Sequence, residues 1–468
     1  MNNSDSDYIS VVSSDTDSVS SIETDIISGD FTEEDWLEIY ELADELVVEL
    51  LRENVIKISN ANIFKDISTE VMNILYESIG HLFENEDDPI ISEIQCLVDQ
   101  IIELEMEQMD IPKRTLTMTI DTLDEMDETK ITIMKKQIET LRNIPQPEQR
   151  TKEWYEFRYN LLSASNAWKA FGSQAQCNSL IYEKCKPLDL STIQYSNSMY
   201  SGAMHWGVKY EPITTMVYED MYQTTIEEFG CVQHSVYNYI GASPDGINVN
   251  PNNGRYGRML EIKNIVNREI TGIPKTEYWI QTQLQMETCN LEYCDFVETR
   301  FKEYNTEEEF YGDISREYKG VILHFIERPN LENDPLTFYK PGAPIYIYKP
   351  LDIENDQSTI SEWIDMKKTE LNNKNCALFN TIYWYMDEFS CVLIQRNRQW
   401  FASAVSKLGD VWETILAERE TGYEHRSAKK RIPKIDVNMN DLSNSYITNI
   451  SQKNNMCLIK LDENGDII

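Results

Sequence analysis

The stretch from Gly241 to Gln285 limits most severely what this chain can fold into. It reads GASPDGINVN, then a Gly/Asn/Pro-rich reversal, then RMLEIKNI, then YWIQTQLQME. Asp245 sits in a Ser-Pro-Asp-Gly turn, fifteen residues separate it from Glu261, and Lys263 follows two positions later. Glu261 and Lys263 alternate with Leu260 and Ile262, so on a strand the polar pair shares one face and the apolar pair takes the other. A Glu/Lys pair on an otherwise buried strand needs a reason, and a divalent metal supplies one. Asp245 and Glu261 offer hard oxygen ligands, while Lys263 can orient a water or offset charge on a phosphate. Standing alone, Glu-x-Lys on a strand reads as a cross-strand ion pair; its companions along the chain decide.

Those companions give the stretch a family. Pro244-Asp245 followed by Glu261-Ile262-Lys263 resembles the PD-(D/E)xK nuclease superfamily. The segment TKEWYEFRYNLLSASNAWKAFGS (151–173) resembles the opening of the YqaJ/phage-lambda-type alkaline exonucleases, in which a Trp-containing helix leads through an arginine into a Ser-Ala-Ser turn. Here the matching positions are Trp154, Arg158, Ser163, Ala164 and Ser165. A serine at a helix N-terminus offers hydroxyl and backbone N–H groups to an anion, and an arginine can bind phosphate in a bidentate manner. The resemblance implies that Arg158, Ser163 and Ser165 receive a 5′-phosphate. Gly207-Val208-Lys209-Tyr210-Glu211 matches the family's Gly-x-x-x-Glu helix, which makes Glu211 a further candidate beside the metal. Gln281-Thr282-Gln283 matches its Gln-x-Gln, with Gln281 expected against Lys263 or the scissile phosphate. Family members often carry Cys-Pro after the lysine, where this chain has Asn264-Ile265.

The resemblance implies an α/β fold with a PD-(D/E)xK restriction-endonuclease-like core, a mixed central sheet flanked by helices. It also implies Mg²⁺ (with Mn²⁺ as a substitute) held by Asp245, Glu261, the Ile262 carbonyl and Glu211. The expected activity is 5′→3′ exonuclease action on double-stranded DNA ends. Expected partners are a single-strand-annealing protein and further copies of the chain. A structure-specific endonuclease of the same fold, or a silent binding module, are the rival readings.

Composition sets limits around this core. The net charge of −38 is unexpected for a protein that must approach phosphates, but most of it lies in residues 1–150. Residues 1–30 carry seven acids, many serines and no Lys or Arg; such a segment buries too little apolar surface to offset its ordering entropy and is expected to be disordered. Residues 31–145 read as an acidic helical region, with Thr32 as an N-cap and apolar positions at helical spacing over 32–57 and 67–108. A Pro-containing joint, IPQPEQR at 144–150, leads into the exonuclease-like region 146–420, and 421–468 is a polar tail with a basic cluster from Arg426 to Lys434. Nine cysteines without a CxxC pair, five histidines and no secretory signal point to a reduced intracellular protein without zinc. No run of about 18 apolar residues exists, and no GxxxxGK[ST] loop supports ATP-driven chemistry. The Asn- and Ile-rich character suits an AT-rich viral genome, which would place the protein in host cytoplasm or virion.

Within 146–420 the expected elements are a helix over 200–223, a strand over 231–240, a hairpin start at 246–249, the strand 258–265, a helix at 276–289 and a strand at 293–301. Beyond these, 303–316 reads as a loop, 345–350 as a strand, 358–373 as a helix, 382–396 as one or two strands and 398–418 as a helix.

Overall fold

A computed structural model of the protein describes residues 32–79, 89–116, 128–147, 151–189, 202–328 and 344–428. The tail 1–30 and the basic residues Lys429, Lys430, Arg431 and Lys434 lie outside these ranges. The first helices are α1 (Glu33–Glu53), α2 (Ile63–Ile79), α3 (Pro89–Gln108) and α4 (Glu128–Asn143). Thr32 starts α1 through a capping box with Asp35, which satisfies two of the otherwise orphaned N-terminal donors. Ile39, Ala43, Val47 and Leu51 recur at four-residue spacing and form the buried stripe of α1.

The rest of the chain runs α5 (Lys152–Tyr159), β1 (Leu162–Ser163), α6 (Ala164–Ala167), α7 (Gln174–Cys185) and α8 (Ala203–Tyr222). Then come β2 (Ile226–Glu227), β3 (Val232–Gln233), β4 (Ile240–Ala242), β5 (Gly246–Asn248), β6 (Met259–Asn264), α9 (Thr276–Cys289) and β7 (Tyr293–Glu303). The chain closes with α10 (Glu307–Gly312), β8 (Lys319–Glu327), β9 (Ile345–Tyr348), α11 (Gln357–Asn372), β10 (Cys376–Gln395) and α12 (Arg398–Thr421).

A seven-stranded mixed sheet in the order β2-β5-β6-β7-β10-β8-β9 forms the centre. β6 runs parallel to β7 and the other neighbours are antiparallel. Tyr210, Ile213 and Val217 of α8 cover one face, against Phe301, Ile322, Ile382 and Trp384, while Tyr218 packs with Leu260, Ile262 and Val297. Trp279, Ile280 and Leu284 of α9 close the other face in one core with α12. This is the expected α/β class, a mixed sheet between helices. A smaller sheet, β1-β4-β3, sets β1 parallel to β4 with Ser163 opposite Gly241. A side chain at Gly241 would force its neighbours to move: an added Cβ would lie 2.7 Å from Cδ2 of Leu161.

The acidic helices are continuous with this body. Their buried residues belong to the same apolar cluster as Trp279, Trp400 and Leu408. Polar contacts fasten the seam: Trp400 Nε1 donates to the Ile56 carbonyl at 3.1 Å, and Trp279 Nε1 to that of Arg114 at 3.0 Å. Arg114, itself buried, donates to the carbonyls of Ser59 and Pro274.

Three local expectations need correction. The run 231–240 is two short strands, because His234 Nδ1 accepts the N–H groups of Val236 and Tyr237, each at 3.0 Å, and turns the chain between them. Residues 307–312 form a helix inside the expected loop, capped by Thr306 and anchored by buried Phe310. The region 382–396 is part of one twenty-residue strand, β10, with shifts of register that let it follow both β7 and β8. No helix among the described residues is long and apolar enough to cross a membrane.

Candidate active site

β5 and β6 pair as a hairpin that brings the Ser-Pro-Asp-Gly turn beside the Glu-x-Lys strand. Asp245 Oδ2 accepts the Ile262 N–H at 2.7 Å, which ties the turn to the middle of β6. Glu261 and Lys263 share one face as the alternation requires, and Leu260 and Ile262 pack under α8 on the other. Glu261 is buried at 1 % exposure and pairs with Lys263. The Lys263 ammonium also lies 5.1 Å from the ring centre of Tyr278.

α9 supplies the remaining partners. Gln281, expected against Lys263 or the scissile phosphate, donates to Oε1 of Glu261 at 2.6 Å. Gln285, one turn further, donates to Oε2 of Glu261 at 2.7 Å and to the Ser243 carbonyl at 3.1 Å. Nothing in the sequence reading had singled out Gln285, although its i,i+4 spacing from Gln281 puts both amides on one helix face. Gln283 serves the scaffold, donating to the Gln395 carbonyl and accepting from the Asn397 N–H.

Burial, then Glu261 and Glu211, push the Asp245 pKa well above the ordinary carboxylate value, against Lys263 and the Ile262 amide. For Lys263 burial works against the charge, but Glu261 and Asp245 outweigh it and hold the pKa above that of a free lysine. Glu211 is exposed on α8 and reaches Asp245 through this electrostatic coupling. Among the described residues, no three His, Cys, Asp or Glu side chains converge as a ready-made metal cluster. The donor set nevertheless suits a hard divalent cation: three carboxylates stand against one lysine, and burial together with their mutual repulsion raises Asp245.

The second group lies around α5. Thr151 caps this helix, its hydroxyl accepting the Trp154 N–H at 3.2 Å, and the Arg158 guanidinium lies 4.6 Å from the Trp154 ring centre. Ser163 is buried at the start of α6, with its hydroxyl 3.3 Å from that of exposed Ser165. The β1–β4 ladder holds Ser163 opposite Gly241, four residues before Asp245. Between the groups sits the buried Cys231 thiol; burial pushes its pKa up, while Ser243, Arg158 and Lys184 act in the opposite direction. The Trp154 indole N–H is buried without a hydrogen-bond partner, and the buried Ser243 hydroxyl has only the Cys231 thiol facing it. Ser243 is a second residue the sequence reading passed over, and the signal was its place in the Asp245 turn.

Residues 153–292 match the YqaJ-like viral recombinase domain. A relative from Acanthamoeba polyphaga mimivirus, uncharacterized protein R354, is 27% identical over 312 residues, which are 60% of this chain and 55% of that protein. The chain thus spans about half the length of the curated relative it matches. Two solved structures of an alkaline exonuclease, LHK-Exo from Laribacter hongkongensis and LHK-Exo in complex with dAMP, each cover 59% of this chain and 95% of their own, at 18% and 19% identity and a TM-score of 0.31.

Proposed function

We propose that this protein is a metal-dependent deoxyribonuclease that degrades duplex DNA from its ends in the 5′→3′ direction. The observation that carries the reading is the convergence of Asp245, Glu261 and Lys263 on one hairpin, beside an arginine–serine segment laddered onto the same turn. A divalent cation, Mg²⁺ or Mn²⁺, would be held by Asp245 and Glu261, with the Ile262 carbonyl and Glu211 contributing, and would supply Lewis-acid polarisation of the phosphate and a more acidic attacking water. Lys263 orients that water and offsets negative charge developing on the phosphate oxygens. Gln281 and Gln285 hold the Glu261 carboxylate in place. Arg158, Ser163, Ser165 and Ser243 take the terminal 5′-phosphate, which sets the direction of digestion. A viral relative and the recombinase-type domain support a role in making single-stranded tails for viral recombination, with a single-strand-annealing protein as partner in an infected cell.

The test is digestion of linear duplex DNA with and without a 5′-phosphate in Mg²⁺, comparing wild type with Lys263→Ala. Loss of phosphorylated ends by wild type alone is the expected result. Cutting of closed circular DNA would replace the exonuclease with an endonuclease, and binding without cleavage by either protein would leave a silent binding module.

A further inference from the structure

Lys184, on the last turn of α7, is buried at 7 % exposure, and its ammonium donates to the Arg158 carbonyl at 2.6 Å. Arg419 of α12 stacks 4.0 Å from the Tyr159 ring centre and donates to the next carbonyl, that of Tyr159, at 2.7 Å. The last turn of α5 is therefore held at two consecutive carbonyls by two cations. A carbonyl needs only a neutral donor, and a buried ammonium is costly unless an anion answers it. The groups facing Lys184 are Arg158 from α5, Arg419 from α12, Cys231 from the segment before β3 and Glu183 from its own helix. Glu183 is already engaged by Lys169 at 3.0 Å and Asn166 at 3.2 Å. A surplus of positive charge remains, and the buried indole N–H of Trp154, the residue against which Arg158 stacks, has no hydrogen-bond partner.

We propose that Lys184 is a positioning residue of the end-phosphate pocket: its buried ammonium fixes Arg158 through the main chain and adds positive charge behind the guanidinium, so that the pocket selects a doubly ionised terminal phosphate. This rests on the reading of Arg158, Ser163 and Ser165 given above. A phosphate monoester loses its second proton near pH ~6. Burial, then Arg158, push the Lys184 pKa down to about 8, with Arg419 acting in the same direction and Glu183 and Cys231 opposing. Burial disfavours ionisation of the Cys231 thiol, so the charge change just above neutrality falls on Lys184. Preference for phosphorylated ends therefore rises through pH ~6 and falls as Lys184 loses its proton.

The experiment measures kcat/KM of the full-length protein on 5′-phosphorylated and 5′-hydroxyl duplexes across this pH range, with melting temperatures alongside. Lys184→Met is expected to lower the phosphorylated-to-hydroxyl ratio roughly tenfold at neutral pH, mainly through KM. Lys184→Arg is expected to keep the ratio and to carry it past the pH at which wild type loses it. Unchanged ratios in both variants would overturn the proposal. So would an equal loss on both kinds of end together with a lowered melting temperature, since that is what simple helix capping predicts. A wild type indifferent to the 5′-phosphate would instead overturn the pocket itself.

Discussion

Gln285 gives one hydrogen bond to Oε2 of Glu261 and, from the same amide, another to the Ser243 carbonyl at the start of the Asp245 turn. The first carboxylate's neighbourhood and the second carboxylate's orientation are thus fastened by one buried side chain. Gln285→Leu keeps the volume and removes both bonds. Cleavage is expected to fall by about 10-fold to 100-fold with a raised Mg²⁺ requirement, as for other groups that orient metal ligands. A magnesium titration of the cleavage rate reads this directly; an unchanged titration would leave Gln285 with a packing role only.

Gly241→Ala forces a Cβ to 2.7 Å from Leu161 and 3.2 Å from the Val232 carbonyl. Overpacking of this kind costs about 1–3 kcal/mol, and relief requires the Leu161 side chain beside β1, or the β3–β4 pairing, to shift. Discrimination between phosphorylated and hydroxyl ends is expected to suffer more than stability does. Urea denaturation and the two-substrate assay separate the effects, and full discrimination in a stable variant would show that the ladder does not position Ser163.

Leu51 is fully buried in a helix that an appendage could have dispensed with. Leu51→Ala should cost about 2–5 kcal/mol. Because the helices share one core with Trp279 and Trp400, the loss should appear in a single calorimetric transition. Two separable transitions, with the later one unmoved, would make the helical region an independent unit.

Glu105, buried on α3, faces Asp44 of α1, whose Oδ1 has no partner. Burial, then Asp44, raise the Glu105 pKa above its reference of 4.5, and Arg52 opposes them. A carboxyl with a raised folded pKa binds its proton more tightly when folded. The stability it contributes is full below the unfolded value and is lost as pH rises through the folded one. Glu105→Gln supplies an uncharged donor to Asp44 at every pH, so it should raise the melting temperature at neutral pH and narrow its lead on acidification. A variant less stable than wild type at pH 7 would contradict the pairing.

Much of the site was legible because its chemistry is local: period-two alternation fixed the face of Glu261 and Lys263, and the turn composition fixed Asp245. That Gln281 would lie near the Glu261–Lys263 pair was legible, though its partner was not, since which amide meets which carboxylate depends on how α9 crosses β6. β8 escaped notice for a physical reason. Val321, Leu323 and Phe325 meet α11 while Ile322 meets α8, so both faces are apolar and no alternation shows. α10 was hidden by its own start signal, three glutamates after Thr306, which suggested a solvated loop. The docking of α1–α3 could not be read at all, because Ile56 and Trp400 meet across most of the chain.

The two-residue ladder of Leu162–Ser163 with Ile240–Gly241 has a further consequence. It fixes the serine end of the span to Asp245 by backbone pairing and leaves only the short turn from Ser243 to Asp245 to set the rest. A strand clamped by its terminal phosphate would meet the carboxylates at a constant reach, as on a gauge. The length of each released piece would then be set by strand register, and lengthening the turn between Gly241 and Asp245 would change product size before it changed rate.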